Sequence, residues 1–476
     1  MVTNKKWITL YISIISLWAL VLGTTLRSWI VGAEALVDSV DISYFTFPML
    51  AFNLVFVGIS MFMFVVYLLF YFVAVRRQEK AIRNVKIGES AIVNGTGGGN
   101  GNGHGIDGNS AHQEDLCSII IPACNEESVI KSTILNCLQQ TYNNIEIIIV
   151  CHNCRDRTYE QCREVNDRRV HAVELRTEKA GKGIALNYGV KESKGKYLLI
   201  LDGDGKLNSG FIEDALPLLQ ENYAAVQGRY IPSNRNYNFI TRMLAIEGDL
   251  WSTPFMTLRS LLTGRTPLGG TGYIIKSDIL LAVGGFANHL VDDYELTFRL
   301  LRNKHRIAFA PLSINYDEKP ATFDIMIKQR ARWLRGFLNL MKFRVAEPRD
   351  IIGNILCVNS VSAFTGLTLL LIAGYSTVHY LMFHYYPFNY SYIPLDMWAG
   401  MTLAFFGMHT ASLVRQYGKS GLKHAALLPI YLPFSNYYLI VALKAFFVKS
   451  WAETKTIHGF ILEKVIKAKI PIPKSG

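Results

Sequence analysis

The strongest constraint on this chain is a 34-residue stretch, residues 42–75, without a single Asp, Glu, Lys or Arg. At about 1.5 Å per residue, a helix of that length exceeds the roughly 30 Å hydrocarbon core of a bilayer. A second charge-free run of 20 residues lies between Lys6 and Arg27. It is longer than the apolar region of a signal peptide and has no small-residue cleavage site behind it, so it too is read as a span. Lys5 and Lys6 precede the first run and Arg76, Arg77, Lys80, Arg83 and Lys86 follow the second, while Glu34, Asp38 and Asp41 lie between them. Cytoplasmic flanks carry the excess of cations, so the amino terminus and the domain that follows are expected inside. Residues 1–76 are therefore expected to form two transmembrane helices of a multi-pass cell-membrane protein.

The far end has the same character. Residues 351–395 carry no charge, and an 18-residue uncharged run separates Asp396 from Arg415. The two read as an out-and-back pair. The last apolar run, His424 to Leu443, holds Pro429 and Pro433 and leads into a Lys-rich tail. A span there would put that tail outside, so a broken or in-plane segment is expected. Residues 346–450 are thus assigned to a C-terminal membrane region of two or three spans, and 451–476 to a basic cytoplasmic tail. The formal charge of +12 does not call for nucleic acid. The cations sit beside apolar runs, where topology and attraction to membrane lipid explain them.

Between these ends lies a soluble body. Residues 77–115 are a basic stretch and a flexible Gly/Asn-rich linker, too poor in apolar residues to offset chain entropy. A folded domain is expected over 116–321. Buried-strand patterns at Leu116 to Pro122, Ile145 to Val150, Val170 to Leu175 and Tyr197 to Leu201 alternate with helical stretches at Ser128 to Gln140 and Gly183 to Lys191. That alternation predicts an α/β domain with a mostly parallel sheet and helices on both faces. Ligands of such sheets bind beyond the carboxyl ends of the strands, where Asn125, Glu126, His152, Asn153, Asp202 and Asp204 fall. Of seven cysteines, six lie in this domain, where reduced thiols are expected. A zinc reading of Cys151-x-x-Cys154 with His152 and Cys162 lacks a second closely spaced pair.

Three local patterns carry chemistry. Asp202-Gly203-Asp204 puts two carboxylates at a strand end, where they can hold a hard divalent cation against a diphosphate. Lys179-Ala180-Gly181-Lys182-Gly183 is a basic, Gly-rich loop opening a helix and suits phosphate oxygens. Asp292-Asp293-Tyr294-Glu295, after Leu268-Gly269-Gly270-Thr271-Gly272, brings like charges close enough to raise one pKa, as a general base requires. The same cluster is also an ordinary acidic helix start. Behind it, 322–345 reads as an interfacial amphipathic helix, with Phe323, Ile327, Leu334, Phe337, Leu338 and Met341 apolar and Lys328, Arg330, Arg332 and Arg335 cationic.

Taken in order, these segments together with Ser118 to Glu127 and Gln329-Arg330-Ala331-Arg332-Trp333 resemble membrane-embedded family 2 glycosyltransferases with the GT-A fold. They are similar to processive polysaccharide synthases such as the cellulose, hyaluronan and poly-N-acetylglucosamine synthases. Lys455-Thr456-Ile457-His458-Gly459 in the tail is similar to a segment of related members. The resemblance implies an inverting transfer of a sugar from a nucleotide-sugar donor, expected to be a UDP-sugar, to a growing polysaccharide, coupled to export. The alternative is single-sugar transfer to a lipid acceptor. It further implies Asp293 as catalytic base and Ala123, Asn125, Glu126, His152, Lys182, Asp202, Gln329 and Arg332 as donor contacts. Asp292 and Trp333 become acceptor contacts, and Asp204 with Asp202 the ligands of Mg²⁺ or Mn²⁺. The chain departs from the family at His152, where many members place an Asp toward the uracil. A fixed carboxylate acceptor is lost there, and the base is left open.

Overall fold

The computed structural model describes residues 115–250, 256–342, 406–407, 409–414, 416–445 and 447. The chain divides into two compact units, Met1–Val73 with Asn359–Asn436 and Ala74–Val358 with Tyr437–Gly476. The expected spans before residue 77 and between 346 and 405 lie outside the described residues. Among the described residues, no helix is long and apolar enough to cross a membrane.

The second unit is built on eight strands: β1 (Cys117–Ala123), β2 (Ile145–His152), β3 (Val170–Leu175), β4 (Tyr197–Ile200), β5 (Lys206–Leu207), β6 (Ala225–Pro232), β7 (Tyr273–Lys276) and β8 (Ile307–Asp317). They pair in the order β3-β2-β1-β4-β7-β6-β8-β5. Among the described residues up to Lys342, the helices α1 (Ile130–Cys137), α2 (Thr158–Arg163), α3 (Lys182–Glu192), α4 (Phe211–Gln220), α5 (Phe239–Leu250), α6 (Met256–Thr263), α7 (Ser277–Ala282), α8 (Asp292–Arg302) and α9 (Phe323–Lys342) accompany them.

The central strands β1 and β4 are apolar along almost their whole length because the sheet is covered on both sides there. Along β1, Ile119 and Ile121 join the core that holds Ile134 of α1 and Phe211 of α4. Ile120, between them, joins the core of Leu186 on α3 and Leu296 on α8. Alternate side chains of a strand point to opposite faces, so only an unbroken apolar run can satisfy both. All three isoleucines are fully buried, each worth about 1.5–3 kcal/mol in transfer free energy. Helix α3 can lie this close because position 189 is Gly, where a side-chain carbon would stand 2.5 Å from Ile120 Cγ2.

The sheet is mostly parallel, as expected, but mixed: β1, β2, β3, β4, β6 and β8 share one direction, and β7 and β5 are reversed. β1, β2, β3 and β4 run parallel, as read from the sequence. However, β7 is antiparallel to both β4 and β6, and β5 is antiparallel to β8. The apolar run at Tyr273 to Ile275 is buried on both faces just as a parallel strand would be, so hydrophobic pattern alone carries no direction. Reversal of β7 brings the Gly269 to Gly272 turn beside the carboxyl end of β4, since Ile200 pairs with Tyr273 and Gly272 N–H donates to Ile200 O at 2.8 Å.

In the first unit, the described part of the last apolar run is broken into short pieces, α10 (Gly421–Ala425) and α11 (Leu428–Phe434). The second unit resumes with α12 (Tyr438–Ala445). Pro429 and Pro433 both lie in α11, where each removes a backbone donor.

Candidate active site

The site is assembled at the carboxyl ends of β1, β2 and β4. Beyond β1, Asn125 adopts φ 55°, and its Oδ1 accepts the Arg155 N–H at 2.8 Å. Asn tolerates left-handed backbone better than most residues, which is why it turns the chain here. Ala123 is buried at the strand end, and its carbonyl accepts the Cys154 thiol. Glu126 is also buried, with its N–H donating to Thr158 Oγ1 at 2.7 Å.

His152 closes β2 with its side chain turned toward the basic loop, Nε2 lying 2.7 Å from Thr177 Oγ1. Burial holds its pKa below the usual histidine value, against the opposing pull of the Gly181 carbonyl, so the ring is neutral at pH 7. Asn153, at φ 52°, exchanges two hydrogen bonds with the Thr177 backbone and fixes where that loop begins. Cys151 and Cys162 bring their sulfurs to 3.9 Å, and among the described residues no three His, Cys, Asp or Glu side chains are grouped to hold a metal.

Lys182, the first residue of α3, reaches back under the sheet edge. Its Nζ lies 2.6 Å from Asp202 Oδ1 and donates to Gly270 O at 2.7 Å. Burial works against the ammonium charge, but the carboxylates of Asp202, Asp292 and Asp293 outweigh it and lift the pKa above the usual value. Gly270 is at φ +83°, and a side-chain carbon there would sit 3.1 Å from Asp293 Oδ2 and 3.8 Å from Lys182 Nζ. Lys182, Asp202, the Gly270 turn and Asp293 therefore meet in one place, although they come from four separate stretches of chain.

Asp292 and Asp293 occupy the first turn of α8. Asp293 Oδ1 accepts the Tyr294 N–H at 2.8 Å. Thr297, one turn on, ties the helix to the Gly-rich stretch by accepting the Leu268 N–H while donating to Asp293 O. Burial, then the neighbouring Asp292, push the Asp293 carboxyl up to about 7. Asp292 is raised for the same first reason, with Lys182 opposing. Asp292 and Asp293 thus form an acidic helix start that is buried.

Arg332, on α9, completes the charge balance. Its Nη1 donates to Leu290 O at 2.6 Å, just ahead of the two aspartates. Burial lowers its pKa while Asp293, Asp292 and Asp202 support the charged form. Trp333 is 40% exposed, and the Arg330 guanidinium lies 4.1 Å from its ring centroid. Gln329 is partly buried one turn earlier than Trp333, and Asp204 is partly buried two residues beyond Asp202. The cations of α9 do not share one wet face, as an interfacial amphipathic helix would arrange them. Arg330 is only 5% exposed and pairs with Glu247 at 2.7 Å, and Arg332 faces the carboxylates.

Sequence reasoning missed the residues that hold the Gly-rich turn. Thr271 Oγ1 accepts the Asp202 N–H at 2.9 Å, and its carbonyl accepts the Tyr230 hydroxyl at 2.8 Å. Gln227, fully buried, accepts the Gly269 N–H and donates back to the Thr271 and Gly272 carbonyls. The only signal for them was a polar Gln inside the apolar strand β6.

Residues 114–336 match the family model described as "Glycosyltransferase like family 2". This central domain is therefore similar to that family, and it has an α/β fold built on a mixed sheet. Three relatives align with it. The "Probable glycosyltransferase YdaM" of Bacillus subtilis is 31% identical over 46% of this chain and 54% of its own length. The "Beta-monoglucosyldiacylglycerol synthase" of Trichormus variabilis is 30% identical over 46% of this chain and 48% of its own length. The "Poly-beta-1,6-N-acetyl-D-glucosamine synthase" of Staphylococcus aureus is 26% identical over 46% of this chain and 54% of its own length. The alignment thus spans about half the length of each relative.

Proposed function

We propose that the chain is a glycosyltransferase that moves a sugar from a nucleotide donor, a UDP-sugar, to a hydroxyl of a growing polysaccharide with inversion at the anomeric carbon. The observation that carries this reading is the Asp293 carboxyl, raised to about 7, in a cleft shared with Lys182 and Arg332. A base poised near working pH and two cations where negative charge develops are what displacement by a hydroxyl at a sugar diphosphate requires. The acceptor oxygen forms the new bond to the anomeric carbon, the bond to the diphosphate oxygen breaks with its electron pair, and the acceptor proton passes to Asp293. Lys182 and Arg332 hold the diphosphate. Trp333 offers an exposed indole face to the acceptor sugar.

A divalent cation, Mg²⁺ or Mn²⁺, fits the oxygen donors at the end of β4. Asp204 and Asp202 would hold it, with phosphate oxygens and water completing its shell, because such hard ions accept few protein ligands beside a diphosphate. When bound, it would neutralise charge on the departing diphosphate.

The relatives divide between a polymer synthase and a glycolipid synthase, so transfer of one sugar to a lipid is the second reading. Both use the same donor cleft and differ in what lies over Trp333. The charge-free runs and their flanking cations support a multi-pass membrane chain with the catalytic domain on the cytoplasmic side.

Membranes containing the full chain, incubated with a panel of radiolabelled UDP-sugars and divalent cation, should release UDP and yield labelled product. A product retained on a sizing column identifies a polymer, and an organic-extractable product a glycolipid. Asp293→Asn should stop transfer and leave UDP binding intact. Full turnover by that variant would refute the mechanism.

A further inference from the structure

Among the described residues after 436, one contact with the rest of the catalytic unit is polar and buried. Glu247 of α5 spends both carboxylate oxygens there. Oε1 accepts from Arg330 Nη2 at 2.7 Å, and Oε2 accepts the Tyr437 hydroxyl at 2.6 Å. Arg330 is 5% exposed, and Tyr437 is equally buried. Behind Tyr437, α12 packs along α9, with Val441 and Ala445 fully covered. The outer bridge from Lys444 to Asp324 is long and exposed and contributes little.

Arg330 has a second task. Residues three apart share a helix face, and its guanidinium covers the ring of Trp333. The indole is 40% exposed, and the Arg330 guanidinium covers its ring at 4.1 Å. The stacked guanidinium restrains the indole only while the guanidinium itself is held. Glu247 holds it, and Tyr437 occupies the carboxylate oxygen that could otherwise turn toward water.

We propose that Tyr437, Glu247 and Arg330 form a positioning relay that sets Trp333 for the acceptor, so that the segment Tyr437–Ala445 belongs to the acceptor side of the site. The relay rests on the glycosyltransferase reading above. Its two hydrogen bonds, Arg330 to Glu247 and Tyr437 to Glu247, involve neither Asp202 nor Asp293, and the proposal assigns them to acceptor handling. Arg330→Lys keeps the charge but not the planar stack, and it should behave like loss of the relay rather than rescue it.

The test uses the full chain in detergent-solubilised membranes, with UDP-glucose and UDP-N-acetylglucosamine as donors and diacylglycerol vesicles or N-acetylglucosamine oligosaccharides as acceptors. Tyr437→Phe removes one hydroxyl and should raise the KM of the accepted acceptor about five- to tenfold, with donor KM and the slow hydrolysis of donor to water within about twofold of wild type. Hydrogen exchange of the 326–340 backbone should quicken in the same variant, while exchange in β1 and β2 stays as it was. Glu247→Gln should show the same split, more strongly, because it leaves the Arg330 charge buried without its carboxylate. An unchanged acceptor KM, or donor and acceptor parameters falling together, overturns the proposal. Unchanged exchange over 326–340 overturns it as well, by showing that Tyr437 does not restrain α9. If wild type releases no UDP from either donor while exchange still responds to Tyr437→Phe, the glycosyltransferase reading fails. The acceptor role then falls with it, and only a structural tether is left.

Discussion

Lys182 Nζ and Asp202 Oδ1 stand 2.6 Å apart, joining the start of a helix to the end of a strand across the donor side of the cleft. The same ammonium lies in the field of Asp292 and Asp293 and is anchored on the Gly270 carbonyl. One cation thus balances three carboxylates before any diphosphate arrives. Removing it acts on both binding and the base.

Lys182→Met should lower kcat/KM for the donor on the order of 10²-fold, the usual cost of losing a donor that faces developing charge. Its ammonium opposes the rise of the Asp293 pKa, so that pKa should climb further in the variant. The alkaline-going rise of kcat/KM, centred near pH 7 in wild type, should move to higher pH. A pH–rate profile checks both effects, and an unmoved profile would mean that Lys182 does not act on Asp293.

Asp293 also sets a pH dependence of stability. Its folded pKa of about 7 lies above the ordinary 3.8, so folding favours the protonated carboxyl. That contribution is complete below pH 3.8 and is lost as pH rises through about 7. Asp293→Asn keeps the neutral form at all pH values. It should be more stable than wild type at pH 8, on the order of 2 kcal/mol after allowing for solvent screening, and no more stable at pH 4. Thermal melts of the purified protein at the two pH values measure the difference, and its absence would show that Asp293 is not held neutral by burial.

Gly270→Ala should damage the site without emptying the core. The position is left-handed at φ +83°, and the added methyl would meet Asp293 Oδ2 at 3.1 Å. Strain of about 1–3 kcal/mol is expected, relieved by moving Asp293 or the turn. The melting temperature should fall by a few degrees while UDP release falls far more. Equal losses would instead point to general unfolding.

Trp333→Ala should raise the acceptor KM about tenfold or more, and Trp333→Phe by less, because a smaller ring still covers the apolar face of a sugar. Hydrolysis of donor to water should continue in both. Loss of donor hydrolysis in Trp333→Ala would place the indole on the donor instead.

Several of these relationships were readable before any coordinates. The strands expected at Leu116 to Pro122, Ile145 to Val150 and Tyr197 to Leu201 follow from apolar runs, and their ends fall within two residues of the observed ones; the parallel pairing of β1 to β4 follows from their alternation with helices. The Lys179–Gly183 loop and the Asp202/Asp204 and Asp292/Asp293 pairs stood out because a basic glycine loop and paired carboxylates suit phosphate and proton chemistry, and the family resemblance picked Lys182 and Asp293 within them. The reversal of β7 was not legible, since Tyr273 to Ile275 is apolar whichever way it runs. Nor was the burial of Arg330 and Arg332, which in the sequence look like the wet face of an amphipathic helix.

By itself, then, the amino-acid sequence determined which segments must be buried, where they end and which ionisable groups are near those ends. These are local properties, set by hydrophobic period and by the chemistry of neighbouring residues. Only the tertiary structure decided that Lys182, Gly270, Asp293 and Arg332 share one cleft and that Tyr437 is tied to Arg330 through Glu247. Contacts between residues tens to hundreds of positions apart depend on strand direction and helix packing. Burial at that meeting point turns an ordinary aspartate into a group that titrates near neutral pH.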